Sequence, residues 1–139
     1  MTIWNMCPTV EQANETSKGT LMEHTGMAFT EIGDDYVKAT MPVDHRTIQP
    51  MGLLNGGASV ALAESVGSFA AQMAAAEGYY CVGLDINANH LRGVREGIVT
   101  ATATAIHLGR TTQVWAIDIV GDHGKKVCVC RLTMAVIKM

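Results

Sequence analysis

One carboxylate, Glu64, stands alone among the thirty positions from Thr47 to Ala76, which otherwise carry no charged side chain. Its surroundings, Ser59 to Ala70, are apolar or small and contain no proline, a composition that favours helix. A helix this apolar has almost no polar face, so Glu64 does not belong to an ordinary solvated set. Burying an unpaired carboxylate is costly, and such a group is normally paired, protonated or used in chemistry. A buried hydrogen bond, an interface pair and a catalytic base or nucleophile would each account for it.

Asn55-Gly56-Gly57 opens the same helix. Asn is a favoured N-cap, and capping alone would explain it. Two glycines also leave the first helical N–H groups unobstructed. Those groups lack intrahelical partners and carry the positive end of the helix dipole, which suits an oxygen acquiring negative charge. Ser68 lies four residues beyond Glu64 and shares its helix face. It could bond the carboxylate or a water held there, or simply fill a tight contact. Gln49 lies in the preceding loop, where a glutamine is commonly just solvated. Later in the chain His90, Arg92 and Arg95 form one basic group and His107 and Arg110 another. These are polar strand ends or, in an acidic chain, contacts for an anion such as phosphate, which the arginine fork binds in bidentate fashion.

The elements that must position these residues follow from periodicity and punctuation. A short helix is expected from about Val10 to Ser17. Met27–Ile32 and Tyr36–Met41 read as a hairpin around Gly33-Asp34-Asp35. Asp44 to Leu54 is a loop. The long helix runs from near Asn55 to near Glu77, with Leu62, Val66, Phe69 and Met73 as its buried stripe and Gly78 as its stop. Four strands follow: Cys81–Leu91, Gly97–His107, Gln113–Val120 and Lys126–Ile137. Threonines and small apolar residues alternate along the second of these. Gly121-Asp122-His123-Gly124 is the last turn. One helix and a large antiparallel sheet fit an α+β fold in a single domain spanning residues 1–139.

Composition narrows the function classes. With 139 residues, 48% hydrophobic and 17% charged, the chain can build a core. A net charge of −3 argues against general nucleic-acid binding. Cys7, Cys81, Cys128 and Cys130 lack zinc spacing and are expected to be reduced, in a cytoplasmic protein. No signal peptide and no membrane span is expected.

Several motifs in order resemble the hotdog-fold acyl-CoA thioesterases, in the branch of the 1,4-dihydroxy-2-naphthoyl-CoA hydrolases and enterobactin-pathway proofreading thioesterases. The carriers are Met41-Pro42-Val43-Asp44, Gln49-Pro50, Gly52 to Ser59, Ala63-Glu64-Ser65, Gly83 to His90 and His107-Leu108-Gly109. The resemblance implies a long helix wrapped by an antiparallel sheet, dimers joined edge to edge and commonly paired into tetramers, and active sites at the dimer interface. It implies that Glu64 is the nucleophile or general base, that the Gly56 N–H polarises the thioester carbonyl, that Gln49 positions the reacting groups and that Ser68 assists the water. It places CoA binding at Gly83, at His90, Leu91, Arg92 and Gly93, and at His107, Leu108, Gly109, Arg110, Thr111 and Thr112. No metal or separate cofactor is implied, CoA being part of the substrate.

The family commonly has His-Gly-Gly where this chain has Asn55-Gly56-Gly57. Asn can donate a hydrogen bond but cannot act as an acid or carry charge. The reading is an acyl-CoA thioesterase; the resemblance to the naphthoyl-CoA branch implies an aromatic acyl group, while Met51, Leu53 and Phe69 would suit an aliphatic chain as well. The alternatives are an acyl-CoA-binding protein with little turnover and a hotdog enoyl-thioester hydratase, which would pair its carboxylate with a histidine.

Overall fold

The structure, a computed structural model, describes all of residues 1–139. In chain order the elements are α1 (Val10–Thr16), α2 (Leu21–His24), β1 (Ala28–Ile32), β2 (Tyr36–Pro42), α3 (Gly56–Ala74), β3 (Tyr79–His90), β4 (Ile98–Leu108), β5 (Thr112–Val120), a single 3-10 turn (Asp122–Gly124) and β6 (Lys126–Lys138). The six strands form one sheet in the order β1-β2-β4-β5-β6-β3, every neighbouring pair antiparallel. The connection from β2 through α3 to β3 carries the chain beneath the sheet to its far edge. Helix and sheet thus pack as two layers, the α+β arrangement expected.

Alternation sets which face is buried. On β4 Val99, Ala101 and Ala103 are buried, while Thr100, Thr102 and Thr104 point the other way. On β2 Val37, Ala39 and Met41 are buried. Against them lie Leu62, Val66 and Met73 of α3; Phe69 is half-buried and packs on Phe29 with ring centroids 4.4 Å apart. At Gly67 a β-carbon would stand 2.6 Å from Leu132 Cδ2 and 3.2 Å from Ile117 Cδ1. Only glycine lets the helix cross β5 and β6 this closely. Cys128 and Cys130 share the buried face of β6 with sulfurs 3.6 Å apart. Burial pushes the Cys130 thiol up to about 12, which leaves it protonated and inert.

The long helix is shorter than its composition predicts. It ends at Ala74, not near Glu77, and Ala75 is extended. The N-terminal segment takes the place of the next turn: the Asn5 and Met6 N–H groups donate to the Met73 carbonyl at 2.9 and 3.1 Å, and Asn5 Nδ2 donates to Ala74 O at 2.8 Å. Gly78 falls in the following turn with φ +87°. The short α2 was not expected; the Thr20 hydroxyl caps it by accepting from the Met22 N–H at 3.2 Å.

The two sheet edges differ. At β1 the Asn14 amide both donates to Phe29 O at 3.0 Å and accepts from Phe29 N at 2.7 Å, tying α1 over that edge. At the other edge β3, twelve residues long, pairs only with β6 and exposes Tyr80, Val82 and Leu84. A long, apolar, unpaired edge is a template for another strand.

Candidate active site

The loop before α3 is fixed from both ends. Asp44 accepts from the Arg46 guanidinium at 2.6 Å, which holds its carboxyl down to about 2. The Thr47 hydroxyl donates to Pro42 O at 2.8 Å, and the Leu54 N–H donates to Val94 O at 2.7 Å. Gln49 Oε1 accepts from the Met51 N–H. The carbonyl end of its carboxamide is thus engaged, and the NH₂ end is free to donate.

Asn55 is the N-cap. Its Oδ1 accepts from the N–H groups of Gly57 at 2.7 Å and Ala58 at 3.2 Å. No hydrogen bond of the chain engages the Gly56 N–H. Asn55 therefore occupies the second and third amide donors and leaves the first free, at the positive end of a nineteen-residue helix. Across from it stands His90: a β-carbon on Gly56 would lie 2.9 Å from His90 Nε2 and 3.1 Å from Cε1. A cavity of about 240 Å³ beside this helix start is lined by Gln49, Leu53, Ser59, His90, Arg92 and Val127 among others.

Glu64 lies farther along the same helix. Its carboxylate rests against the Cα of Gly83 on the open strand β3, close enough that a β-carbon there would overlap it. The chain's six ion pairs all lie elsewhere. Gly83 pairs with Met134, whose sulfur receives the Ser68 hydroxyl at 3.8 Å. Glu64, Gly83 and Ser68 thus form a second cluster. Eight residues separate Gly56 from Glu64, about 12 Å along the axis at 1.5 Å per residue. A carboxylate cannot reach a carbonyl held by Gly56 of its own chain over that span.

The basic residues divide in the same way. His90, Leu91, Arg92 and Gly93 line the cavity at the helix start, and Arg92 continues into a neighbouring pocket with Arg95 and Lys125. Leu108, Gly109 and Arg110 line a cavity of about 280 Å³ with Tyr79 and Gln113. His107 folds over Gly109, and Thr111 O accepts from Val136 N at 2.9 Å in the same hairpin. Thr112 pairs with Ala135, and Ala135 with Val82. This group therefore sits at the Val82 end of β3, and the His90 group sits at the opposite end.

Two features escaped the sequence reading. Lys125 lines the same pocket as Arg92 and Arg95, together with Glu96 and Asp122, and the Lys125-Lys126 doublet is the signal that could have found it. His90 faces the helix start because a bulge between Gly83 and Asp85 re-phases β3. Simple alternation puts residues 83 and 90 on opposite faces, since their spacing is odd.

Comparison with known proteins bears on what this arrangement does. The chain matches the Thioesterase superfamily over residues 51–128. It is 48% identical to the proofreading thioesterase EntH of Cronobacter turicensis over 96% of this chain and 98% of that one. A solved thioesterase from Haemophilus influenzae superposes with a TM-score of 0.97, at 52% identity, covering 99% of this chain and 96% of that one. A glutamine-to-alanine variant of a Pseudomonas aeruginosa thioesterase also superposes with a TM-score of 0.97, at 52% identity, covering 99% of this chain and all of that one.

Proposed function

The chain belongs to the thioesterase superfamily, with the hotdog fold and the thioester-hydrolase activity of that family, and on that footing we propose that it hydrolyses an aromatic acyl-CoA with Glu64 as the reacting carboxylate. The observation that carries this reading is the placement of Glu64. It is the lone carboxylate of an apolar helix, without an ion-pair partner, facing the open edge strand at Gly83. Glu64 either attacks the thioester carbon, forming an anhydride as the CoA thiolate leaves and takes up a proton, or accepts a proton from the attacking water. The free Gly56 N–H receives the carbonyl oxygen, and the Gln49 NH₂ positions the reacting groups. Ser68 stands one helical turn beyond Glu64, placed to assist the water. The chemistry draws on side chains and helix amides alone, with CoA part of the substrate.

The 12 Å gap within one chain is closed by a second copy. Antiparallel pairing of two β3 strands about a two-fold axis near Ile86 and Asn87 sets Gly83 of one protomer opposite His90 of the other. That register brings Glu64 of one chain to Gly56 of its partner. It also brings the Arg110 hairpin, at the Val82 end, beside the partner's Arg92. One axis thus completes the reacting site and gathers both basic groups into one binding path for the CoA phosphates. Pairing of such dimers into a tetramer, and a cytoplasmic setting for the four unpaired thiols, complete this reading. No helix of the chain is long and apolar enough to cross a membrane.

An aromatic acyl group is supported by a cavity of about 380 Å³ beside Ser68, walled by Phe29, Phe69, Met22 and Leu21. Edge or face contacts with the Phe29–Phe69 pair suit a planar ring. The test is free-thiol release from benzoyl-CoA and from a long-chain fatty acyl-CoA. Faster release from benzoyl-CoA is expected. Because His90 supplies a histidine near the helix start, a hydratase is the second reading to separate, and it would consume an enoyl-CoA without releasing thiol. Binding of CoA thioesters with neither reaction would point to a sequestering protein.

A further inference from the structure

We propose that His90 is a catalytic residue: its imidazole replaces the histidine absent at position 55 and donates, together with the Gly56 N–H, to the thioester oxygen. The proposal rests on the reading of the helix start as the carbonyl site. Three observations carry it. First, Asn55 is committed as a cap through Oδ1, which is bound to two amides, so only its uncharged Nδ2 remains to meet a substrate. Second, the imidazole stands directly against Gly56, with His90 Nε2 2.9 Å from the site of its missing β-carbon. Any side chain on Gly56 would displace the ring, so the glycine makes room for the imidazole as well as for the substrate. Third, none of the chain's ion pairs and side-chain hydrogen bonds involves the His90 ring, which leaves it free to donate.

The chemistry follows from the position. A carbonyl oxygen that accepts from the Gly56 N–H meets the helix start against which His90 stands, beside the cavity that His90 and Gln49 line. As the carbon becomes tetrahedral the oxygen gains negative charge, and a donor aimed at it gains strength over the ground state. The neutral imidazole carries a proton on one nitrogen, and the Nε2 tautomer can donate. A phosphate contact instead would hold ground and transition states equally. His90 thus acts on the acyl end of the substrate, while Arg92, two residues on, begins the CoA path.

The decisive experiment compares His90→Gln, Asn55→His and the double variant, reading kcat, KM and free-CoA affinity, with melting temperature as a check on folding. His90→Asn is the second variant if His90→Gln fails to fold. The expected result is a kcat loss of about 10²-fold in His90→Gln, the scale of one lost oxyanion donor, with KM and CoA affinity held. Asn55→His should restore most of that loss in the double variant, since either histidine reaches the same oxygen. A raised KM and weakened CoA binding at unchanged kcat would overturn the proposal and return His90 to the nucleotide path. Unchanged kinetics, or a kcat loss that Asn55→His leaves unrestored, would overturn it too. Glu64→Gln measured in parallel separates this failure from failure of the site itself: loss of turnover there alongside a silent His90→Gln moves only the donor.

Discussion

The Glu64 carboxylate lies directly over the Cα of Gly83, so the reacting group proposed here is held against β3, an edge strand of the sheet that pairs only with β6. A helix residue and an edge strand thereby define a half-site that faces outward. The other half, Gly56 with His90, faces the same edge about 12 Å away along the helix.

Gly83→Ala should expose this relationship. The strand backbone at Gly83 has no positive φ, so alanine fits it locally. The added methyl instead forces the carboxylate aside. Displacement of a reacting group by about 1 Å costs about 10²-fold in rate. The expected outcome is a kcat loss of that order with a melting temperature close to that of the parent. Unaltered kcat would mean that the carboxylate works from another position.

The shared site is testable by mixing inactive proteins. Glu64→Gln lacks the carboxylate, and a Gln49→Ala, Gly56→Pro double variant lacks the carbonyl donors. Proline is tolerated at the first helical position, so the fold should survive. After subunit exchange, mixed dimers hold one intact site in two, and about a quarter of parental activity should return. No recovery despite exchange shown by mass spectrometry would place the whole site within one chain.

Arg92→Gln and Arg110→Gln test the CoA path. Each removes a charge-assisted contact, a loss of about 1.5 kcal/mol or more and hence about tenfold in affinity. KM should rise in both with kcat nearly constant, because these contacts serve ground and transition states alike. Parental KM in both would place the nucleotide elsewhere.

Much of this geometry was legible in the residues. The threonine–alanine alternation of β4, the hairpin at Gly33 to Asp35 and the start of α3 at Asn55 are local signals, and each appears where the pattern places it. The end of α3 was not legible. It is set by Asn5 and Met6 reaching Met73 O, a contact nearly seventy residues away in the chain that no local propensity records. The facing of His90 was hidden for a related reason, since a single extra residue near Leu84 inverts the strand's phase. Glu64, Gln49, Gly56 and Ser68 are named by the resemblance, which also implies that Glu64 and the Gln49–Gly56 segment meet across a dimer interface. The pairing of Glu64 with Gly83 and of Gly56 with His90 comes from strand register, which no local pattern records.

The most direct measurement of the central claim is single-turnover hydrolysis of benzoyl-CoA by Glu64→Gln, with binding of the thioester measured on the same protein. The substitution keeps shape and removes both the negative charge and the base. Loss of general-base assistance costs about 10²–10⁴-fold, and loss of a nucleophile at least as much. The account predicts turnover reduced by that order with benzoyl-CoA affinity near the parental value. Near-parental turnover in a folded Glu64→Gln protein would contradict it.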